Sequence, residues 1–382
     1  MSGFLKRTVN VLKLPLYVLD ILNTLDKAGF ESFVVGGAVR DYLLGKTPYD
    51  YDITTSATPK EVIALFPKTT PYGIKFGTVT VLSKEPVEVT TFRKDGYYVD
   101  GRRPLEVSFS KKIEEDLYRR DFTVNAIAYS PTIGFYDPVG GKEDLKLKLI
   151  RAVGTASNRF AEDSLRILRA VRFLAKLGRP WKIEDETFVA MKNSAHLIKR
   201  LSKERITDEL IKLIVSESAL YGLELLSVIT NDAFGASLAL VDLDSLPFKM
   251  NLRLASLVKA NTWLTDWLIL PKKTLRYIKK MLVNQPIPEN LTDLRHLCFL
   301  VGREYLDDWL LLRGLKPKSK EIESHAIFVS DLAISGNDIK HLGKGPQIGT
   351  MLDKLAYLVR ENQTLNTKEA LLKIIGDQKE PS

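Results

Sequence analysis

Cysteine is almost absent from this chain: Cys298 is the only one in 382 residues. A disulfide framework and a cysteine-ligated metal cluster are therefore both excluded. The four histidines are not at ligand spacing, which removes the common zinc arrangements. No run approaches the about 18 apolar residues that a membrane span requires. Pro15, Asp20 and Asn23 interrupt the apolar core that an N-terminal signal would need. A reducing cytoplasm and no membrane fit these absences. Acidic residues are also in deficit, 47 against 56 Lys and Arg, for a formal charge of +9. That excess suits a polyanionic partner and carries no information about fold. Internal repeats and low-complexity segments are missing too. At this length roughly two to four domains are expected.

What is present begins with residues 33–53, FVVGGAVRDYLLGKTPYDYDI. Phe33-Val34-Val35 reads as a buried strand. It stops at Gly36-Gly37, where the lack of a Cβ allows a sharp turn and close approach of a ligand. A short helix with Val39, Leu43 and Leu44 as its apolar side follows, ending at Gly45. If Tyr51 to Ile53 is a strand, Asp50 and Asp52 share a face. Two carboxylates so placed repel each other, and a divalent cation such as Mg²⁺ relieves the repulsion. The Gly-Gly turn offers backbone N–H groups to phosphates, and Arg40 adds a cationic fork. Taken singly, Gly-Gly is an ordinary turn and Asp-x-Asp ordinary turn polarity. Their combination within about twenty residues favours a metal-nucleotide site.

Residues 15–29 open with Pro and close with Gly around a stripe of Val18, Ile21, Leu22 and Leu25, the pattern of a helix covering the sheet. Thr58-Pro59 with Glu61 predicts a capped helix start. GIKFGTVTVL (73–82) and VEVTTF (87–92) read as strands. On the second, Glu88 points away from Val87 and Val89, so it reads as solvated unless the strand lies beside Asp50 and Asp52. Residues 93–104 have no apolar period and read as a mobile surface loop. Helical spacing over 113–118 leads into Arg119-Arg120-Asp121 and an apolar stretch holding Asn125. LIRAVG (149–154) looks like a last strand.

From about residue 155 the pattern turns helical. FAEDSLRILRAVRFLAKLG (160–178) reads as one long helix with Leu165, Leu168, Val171 and Leu174 inward. Asp163 and Arg166 are three apart and Glu162 lies four before Arg166, a spacing that also suits a plain surface ion-pair ladder. Residues 202–214 form a second amphipathic helix, with Ser202 as its cap. Residues 246–282 carry eight Lys or Arg against the single acid Asp266, which is most of the chain's positive excess. Trp263 and Trp267, four apart within that stretch, suit a core better than base stacking. A further basic cluster occupies 313–320, and Gly345-Pro346 starts another helix.

The order of these pieces resembles the bacterial class II tRNA nucleotidyltransferases, the CCA-adding enzymes. The matching strings are VVGGAVRDYLLG, DYDITTSATP, FGTVTV, EVTTFRKDGYYVDGRRP, EEDLYRRDFTVNAIAY, YDPVGGKEDL, RFAEDSLRILRAVRF and SKERITDEL, almost continuous over 33–214. The resemblance implies an α+β chain, with a nucleotidyltransferase head (1–154) holding a small mixed sheet. A helical neck (155–220), a body (221–315) and a tail (316–382) would follow. It also implies addition of C, C and A to the tRNA 3′ end from CTP and ATP, without a nucleic-acid template, using two Mg²⁺ ions.

By the same resemblance, Asp50 and Asp52 match the metal-binding acids and Glu88 the third carboxylate. Gly36, Gly37 and Arg40 match the triphosphate turn. Arg120, Asp121 and Asn125 match the motif beside the ribose and phosphates. Asp163 and Arg166 match the pair that selects the base, Glu162 its buttress, and Arg169 joins the nucleotide-binding set. Arg93, Asp95, Tyr98, Asp100, Arg102 and Arg103 match a flexible loop linked to switching from C to A. Lys272, Lys273, Arg276, Lys279 and Lys280 would meet tRNA at the acceptor stem and elbow, through phosphates. Side-chain chemistry agrees: ionised Asp only accepts and Arg only donates, which suits the amino donor and ring-nitrogen acceptor shared by cytosine and adenine. Bacterial poly(A) polymerase, which carries an Arg-rich strand where this chain has GIKFGTVTV, ranks second. A CC-only adding enzyme and a tRNA-binding protein with an inactive centre are the other readings.

Overall fold

Helix α1 (Leu16–Lys27) buries Val18, Ile21, Leu22 and Leu25, the four positions its spacing predicts, and packs on strand β1 (Ser32–Val35). β1 is buried at every residue: Ser32 and Val34 share one face, and Phe33 and Val35 share the other, where they enter one core. The computed structural model describes residues 12–70, 73–94 and 108–377. The chain falls into two compact units, 1–240 and 241–382.

In the first unit β1 turns at Gly36 into α2 (Gly37–Leu43) and returns as β2 (Asp52–Thr55), antiparallel to β1. Helix α3 (Pro59–Leu65) starts under the expected Thr58–Glu61 capping box. Strands β3 (Thr69–Thr70), β4 (Thr78–Leu82) and β5 (Pro86–Thr91) follow. The strand expected from residue 73 begins only at Thr78: Ile74–Phe76 is a 3₁₀ turn ended by Gly77 at φ 80°, a left-handed residue that breaks the extended run. The pair β6 (Arg93–Lys94) and β7 (Ser108–Phe109) is antiparallel and stands apart from the main sheet. Then come α4 (Ile113–Tyr118), β8 (Ala128–Ser130), β9 (Gly134–Tyr136) and α5 (Gly141–Leu147). The seven-stranded sheet runs β3-β4-β5-β2-β1-β8-β9. Within it only β2 and β5 are parallel, in a register that places Asp52 opposite Glu88. Phe33, Val35, Phe92, Leu117, Ala126, Ala128 and Val153 form one core on the α4 side.

Two expectations are corrected beyond residue 148. β10 (Leu149–Ile150) does not join the main sheet but pairs in parallel with β11 (Lys182–Ile183), so the remainder is not wholly helical. The single helix expected over 160–178 is two, α6 (Ala156–Glu162) and α7 (Leu165–Leu177). Asp163 between them is extended, at φ −149° and ψ 101°. Its carboxylate accepts from the Leu165 amide at 3.1 Å, the competition with the helix ladder that short polar side chains offer. Helices α8 (Asp185–Ser194), α9 (Lys203–Ile214) and α10 (Ala219–Phe234) complete the unit, with α7 packed on α9 and α10. Ser202 sits at the N-cap position of α9, but its side chain makes no cap bond.

The second unit contains α11 (Met250–Ala260), α12 (Lys272–Met281), α13 (Leu291–Val301), α14 (Leu306–Leu311), α15 (Gly345–Glu361) and α16 (Lys368–Asp377). As expected, α15 starts at Gly345-Pro346. Its Leu352, Leu355 and Val359 pack with Ile334, Ile339, Leu371 and Ile375. Trp309 is fully buried. No described helix is long and apolar enough to cross a membrane.

Candidate active site

A cavity of about 660 Å³ lies in the first unit and is walled by side chains of β1, α2, β2, β4, β5, α7 and α9. Asp50, Asp52 and Glu88 all line it. Asp50 lies just before β2 rather than within it, and both acids still line the one cavity. Glu88 is brought alongside by the β2/β5 register. The effect of this crowding is visible at Asp52, whose pKa rises to about 6. Desolvation by the surrounding walls is the largest cause, followed by the charges of Glu88 and Asp50, with Arg120 opposing them. The side chain remains open to solvent, so the desolvation is that of a recess and not of a sealed core. Among the described residues no three His, Cys, Asp or Glu side chains form a closed ligand cluster. The three carboxylates gathered at Asp50, Asp52 and Glu88 nevertheless form an all-oxygen donor set that fits a hard divalent cation taking one or two carboxylates plus substrate phosphates.

Gly36 sits beside these acids at φ 72° and ψ −130°, which an L-residue rarely adopts. A Cβ there would stand 3.4 Å from Arg120 Nη1, so glycine lets the backbone and the guanidinium converge on one spot. Arg40, on α2, is buried. It donates from Nε to Asp41 at 2.8 Å and from Nη1 to Asn125 Oδ1 at 2.7 Å. Asn125 in turn donates to Asp121 Oδ1 at 3.2 Å, and Asp121 Oδ2 accepts from Arg169 Nε at 2.7 Å and Nη2 at 2.6 Å. Arg40, Asn125, Asp121 and Arg169 thus form one hydrogen-bonded chain from α2 to α7. Burial pushes the Asp121 carboxyl up, but the Arg169 guanidinium outweighs it and holds the group below the ordinary carboxylate range. Asp121 is committed to protein donors.

Asp163 and Arg166 line the same cavity. They do not pair with each other through their side chains. Arg166 donates from Nη1 to Glu162 at 2.6 Å and to the Arg159 carbonyl at 2.9 Å, and from Nη2 to the Arg119 carbonyl at 3.0 Å. Of its five N–H donors, two remain for a ligand. Glu162 is itself held by Arg159 at 2.8 Å and pairs with Arg166 at the i,i+4 spacing of its sequence. Asp163 Oδ2 accepts from Arg205 Nη2 at 2.7 Å, and each carboxylate oxygen keeps a second lone pair.

Sequence reasoning missed several wall residues. Arg205 on α9 holds Asp163 from 42 residues away, a separation that leaves no local signal. Arg119, Arg172 and Lys176 also line the cavity. Burial and the nearby Arg40 lower the Lys176 pKa. Asp116, buried and bonded to Arg119 and Arg120, was detectable, because it lies three and four residues before them. Of the loop positions, Arg93 is on β6 and lines the cavity, its Nη1 donating to the Phe76 carbonyl at 2.8 Å. Asp95, Tyr98, Asp100, Arg102 and Arg103 lie outside the described residues.

In the second unit, Lys272, Lys273, Arg276 and Lys279 are exposed on α12, and Lys280 is half-exposed with its Nζ on the Leu300 carbonyl. Thr274, Tyr277, Ile278 and Met281 face inward. The basic stretch is not uniformly available, however. Arg253 is fully buried and donates to the Leu246 and Pro247 carbonyls. In the 313–320 cluster, Arg313 lies over the Trp309 ring and donates to the Met281, Val283 and Trp309 carbonyls. Trp263 and Trp267 are half-buried.

Residues 32–151 match the family described as the Poly A polymerase head domain, and 181–227 that described as the probable RNA and SrmB-binding site of polymerase A. The head-domain match, together with the relatives that follow, defines the class of the protein as a nucleotidyltransferase. The CCA-adding enzyme of Listeria innocua is 37% identical over 395 residues, covering 96% of this chain and 99% of that one. The CCA-adding enzyme of Streptococcus uberis is 51% identical over 206 residues, 54% of this chain and 51% of that one. The crystal structure of the Bacillus stearothermophilus CCA-adding enzyme in complex with CTP superposes with a TM-score of 0.81 at 33% identity, over 95% of this chain and 98% of that one. The chain belongs to the CCA-adding enzymes, the tRNA nucleotidyltransferases of this class.

Proposed function

We propose that this chain adds C, C and A to the 3′ end of tRNA from CTP and ATP in the cytoplasm, with the cavity of the first unit as its single nucleotide site. The observation that carries the reading is that one cavity gathers both sets of residues. Asp50, Asp52 and Glu88, the Gly36-Gly37 turn, Arg120, Asp163 and Arg166 all line it. Asp50 and Asp52 would hold two Mg²⁺ ions, with Glu88 as the neighbouring third carboxylate. Bound there, Mg²⁺ lowers the pKa of the primer 3′-hydroxyl and neutralises the leaving pyrophosphate.

The chain's own residues do the rest. The Gly36-Gly37 backbone and Arg120 approach the triphosphate, while Arg40, Asp121, Asn125 and Arg169 fix the floor between phosphate and base. Asp163 accepts from the exocyclic amino group of cytosine or adenine, and Arg166 donates to the adjacent ring nitrogen. Uracil and guanine present a ring N–H and a carbonyl at those positions, leaving buried groups unpaired, a penalty that discriminates strongly. Arg93, Asp95, Tyr98, Asp100, Arg102 and Arg103 assist the change from C to A. The division into head (1–154), neck (155–220), body (221–315) and tail (316–382) follows. Lys272, Lys273, Arg276, Lys279 and Lys280 meet the tRNA backbone.

The test incubates the full chain with a tRNA lacking its last three nucleotides. With CTP and Mg²⁺ alone, two residues are added and addition stops; ATP then adds one more, and EDTA abolishes both. A long A tail from ATP alone identifies a poly(A) polymerase. Arrest at CC with ATP present identifies a CC-adding enzyme, and no pyrophosphate release identifies an inactive centre.

A further inference from the structure

Asp116, on α4, has no exposed side-chain surface and does not line the cavity, yet it ties together three arginines that do. Its Oδ1 accepts from Arg119 Nε at 3.0 Å and Nη2 at 2.6 Å, and from the Arg93 backbone amide at 3.3 Å. Its Oδ2 accepts from Arg120 Nη2 at 3.1 Å. Each partner leads to a different part of the nucleotide site. Arg120 Nη1 faces Gly36 at 3.4 Å from where a Cβ would be. The Arg119 carbonyl, at the end of α4, accepts from Arg166 Nη2 at 3.0 Å. A buried carboxylate between two guanidiniums fixes both forks in direction, which a surface pair does not do.

We propose that Asp116 is a positioning residue that couples the grip on the triphosphate to the reading of the base. Through Arg120 it aims the donor at the Gly36-Gly37 turn, and through Arg119 it sets the carbonyl that holds Arg166 in place. The inference rests on the roles assigned above to Arg120 and Arg166, and it adds a connection between them: phosphate affinity and base selectivity share one buried charge. Asparagine at this position keeps the size but presents an N–H₂ group to a guanidinium, so one fork loses its acceptor and the other keeps a weaker one.

The experiment compares Asp116→Asn with the unaltered full chain on a tRNA transcript lacking its last three nucleotides. Two ratios are read: kcat/KM for CTP over UTP, and affinity for CTP over CMP. Both ratios fall, each by about tenfold, as expected for loss of hydrogen bonds to charged groups. In an Arg166→Ala background the same substitution lowers the CTP/UTP ratio by less than about twofold further, and in an Arg120→Ala background it leaves the CTP/CMP ratio similarly unchanged, because interacting residues are not additive. A folded Asp116→Asn protein with wild-type ratios overturns the proposal, as do fully additive losses in the two backgrounds. A residue that only supports the fold lowers the active fraction and moves neither ratio. Should Asp116→Asn not fold, Arg119→Gln takes its place, with the CTP/UTP ratio falling and the CTP/CMP ratio held; an unchanged CTP/UTP ratio there overturns the proposal. If Arg166→Ala by itself keeps wild-type selectivity, the base-reading role fails first, and the coupling with it.

Discussion

Replacing Asp52 by asparagine removes a charge that the cavity holds against desolvation by its walls and the repulsion of Glu88 and Asp50. The carboxyl rises from 3.8 to about 6 on folding. At roughly 1.36 kcal/mol per pH unit that is about 3 kcal/mol against the folded state. The side chain is open to solvent, so screening reduces the figure to about 1 kcal/mol. A carboxyl whose pKa is raised by folding binds its proton more tightly in the folded state, so its penalty is complete above about pH 6 and vanishes below the unfolded value near 3.8. In EDTA at pH 7.5, Asp52→Asn therefore stabilises the first unit by about 1 kcal/mol, a rise of roughly 2–4 °C in its unfolding midpoint. The gain shrinks to about half at pH 5. Mg²⁺ reverses the order, because it binds the unaltered chain and stabilises it by mass action. Thermal unfolding followed by circular dichroism at pH 7.5 and 5, with EDTA or Mg²⁺, reads all four cases, and nucleotide addition is lost in the variant. A lower midpoint for Asp52→Asn in EDTA at pH 7.5 would refute the argument that desolvation and the neighbouring carboxylates disfavour the ionised Asp52.

Arg166→Ala relaxes the choice of C and A over U and G more than it weakens Mg²⁺ binding; a variant that stays selective in single-nucleotide incorporation contradicts the base-reading role. Neutralising Lys272, Lys273 and Lys279, all exposed on α12, weakens tRNA binding and lowers the slope of log affinity against log salt by about 2, at roughly 0.7–0.9 per phosphate contact. CTP affinity is unchanged, and an unaltered salt slope shows those lysines to be solvated surface. Asp121→Asn removes the closer of two carboxylates on the Arg169 guanidinium, leaving only Glu209 at 4.0 Å, and costs about 3 kcal/mol, the low end for a buried pair. Asp121's pKa is lowered in the folded state, so its stabilisation is present above about pH 4 and is lost as pH falls through the folded value. Urea midpoints of the two proteins should converge only in that acidic range; convergence already at pH 6 contradicts the pairing.

Local chemistry made much of this molecule legible beforehand. Val18, Ile21, Leu22 and Leu25 announce their helix through 3.6-residue spacing, and Thr58, Pro59 and Glu61 announce theirs through a capping box that forms as expected. Glu88 was ambiguous as a solvated strand residue until the parallel β2/β5 register set it opposite Asp52. The helix break at Asp163 was hidden, because apolar periodicity continues across it while the backbone follows the bond from Asp163 to the Leu165 amide. Arg205 was invisible for a different reason. Its partner lies far away in sequence, and only the packing of α7 against α9 brings them within 2.7 Å. Arg253 reads as part of a basic surface by composition, yet it is buried and donates to carbonyls of the segment that precedes α11.

A crystal structure of the full chain with Mg²⁺ and a non-hydrolysable CTP analogue tests the central claim most directly. The account predicts the triphosphate against Gly36-Gly37 and Arg120, metal on Asp50 and Asp52, and the cytosine amino group on Asp163 with its ring nitrogen facing Arg166. A cytosine ring bound away from Asp163 and Arg166, or a triphosphate away from the Gly36-Gly37 turn, would contradict it.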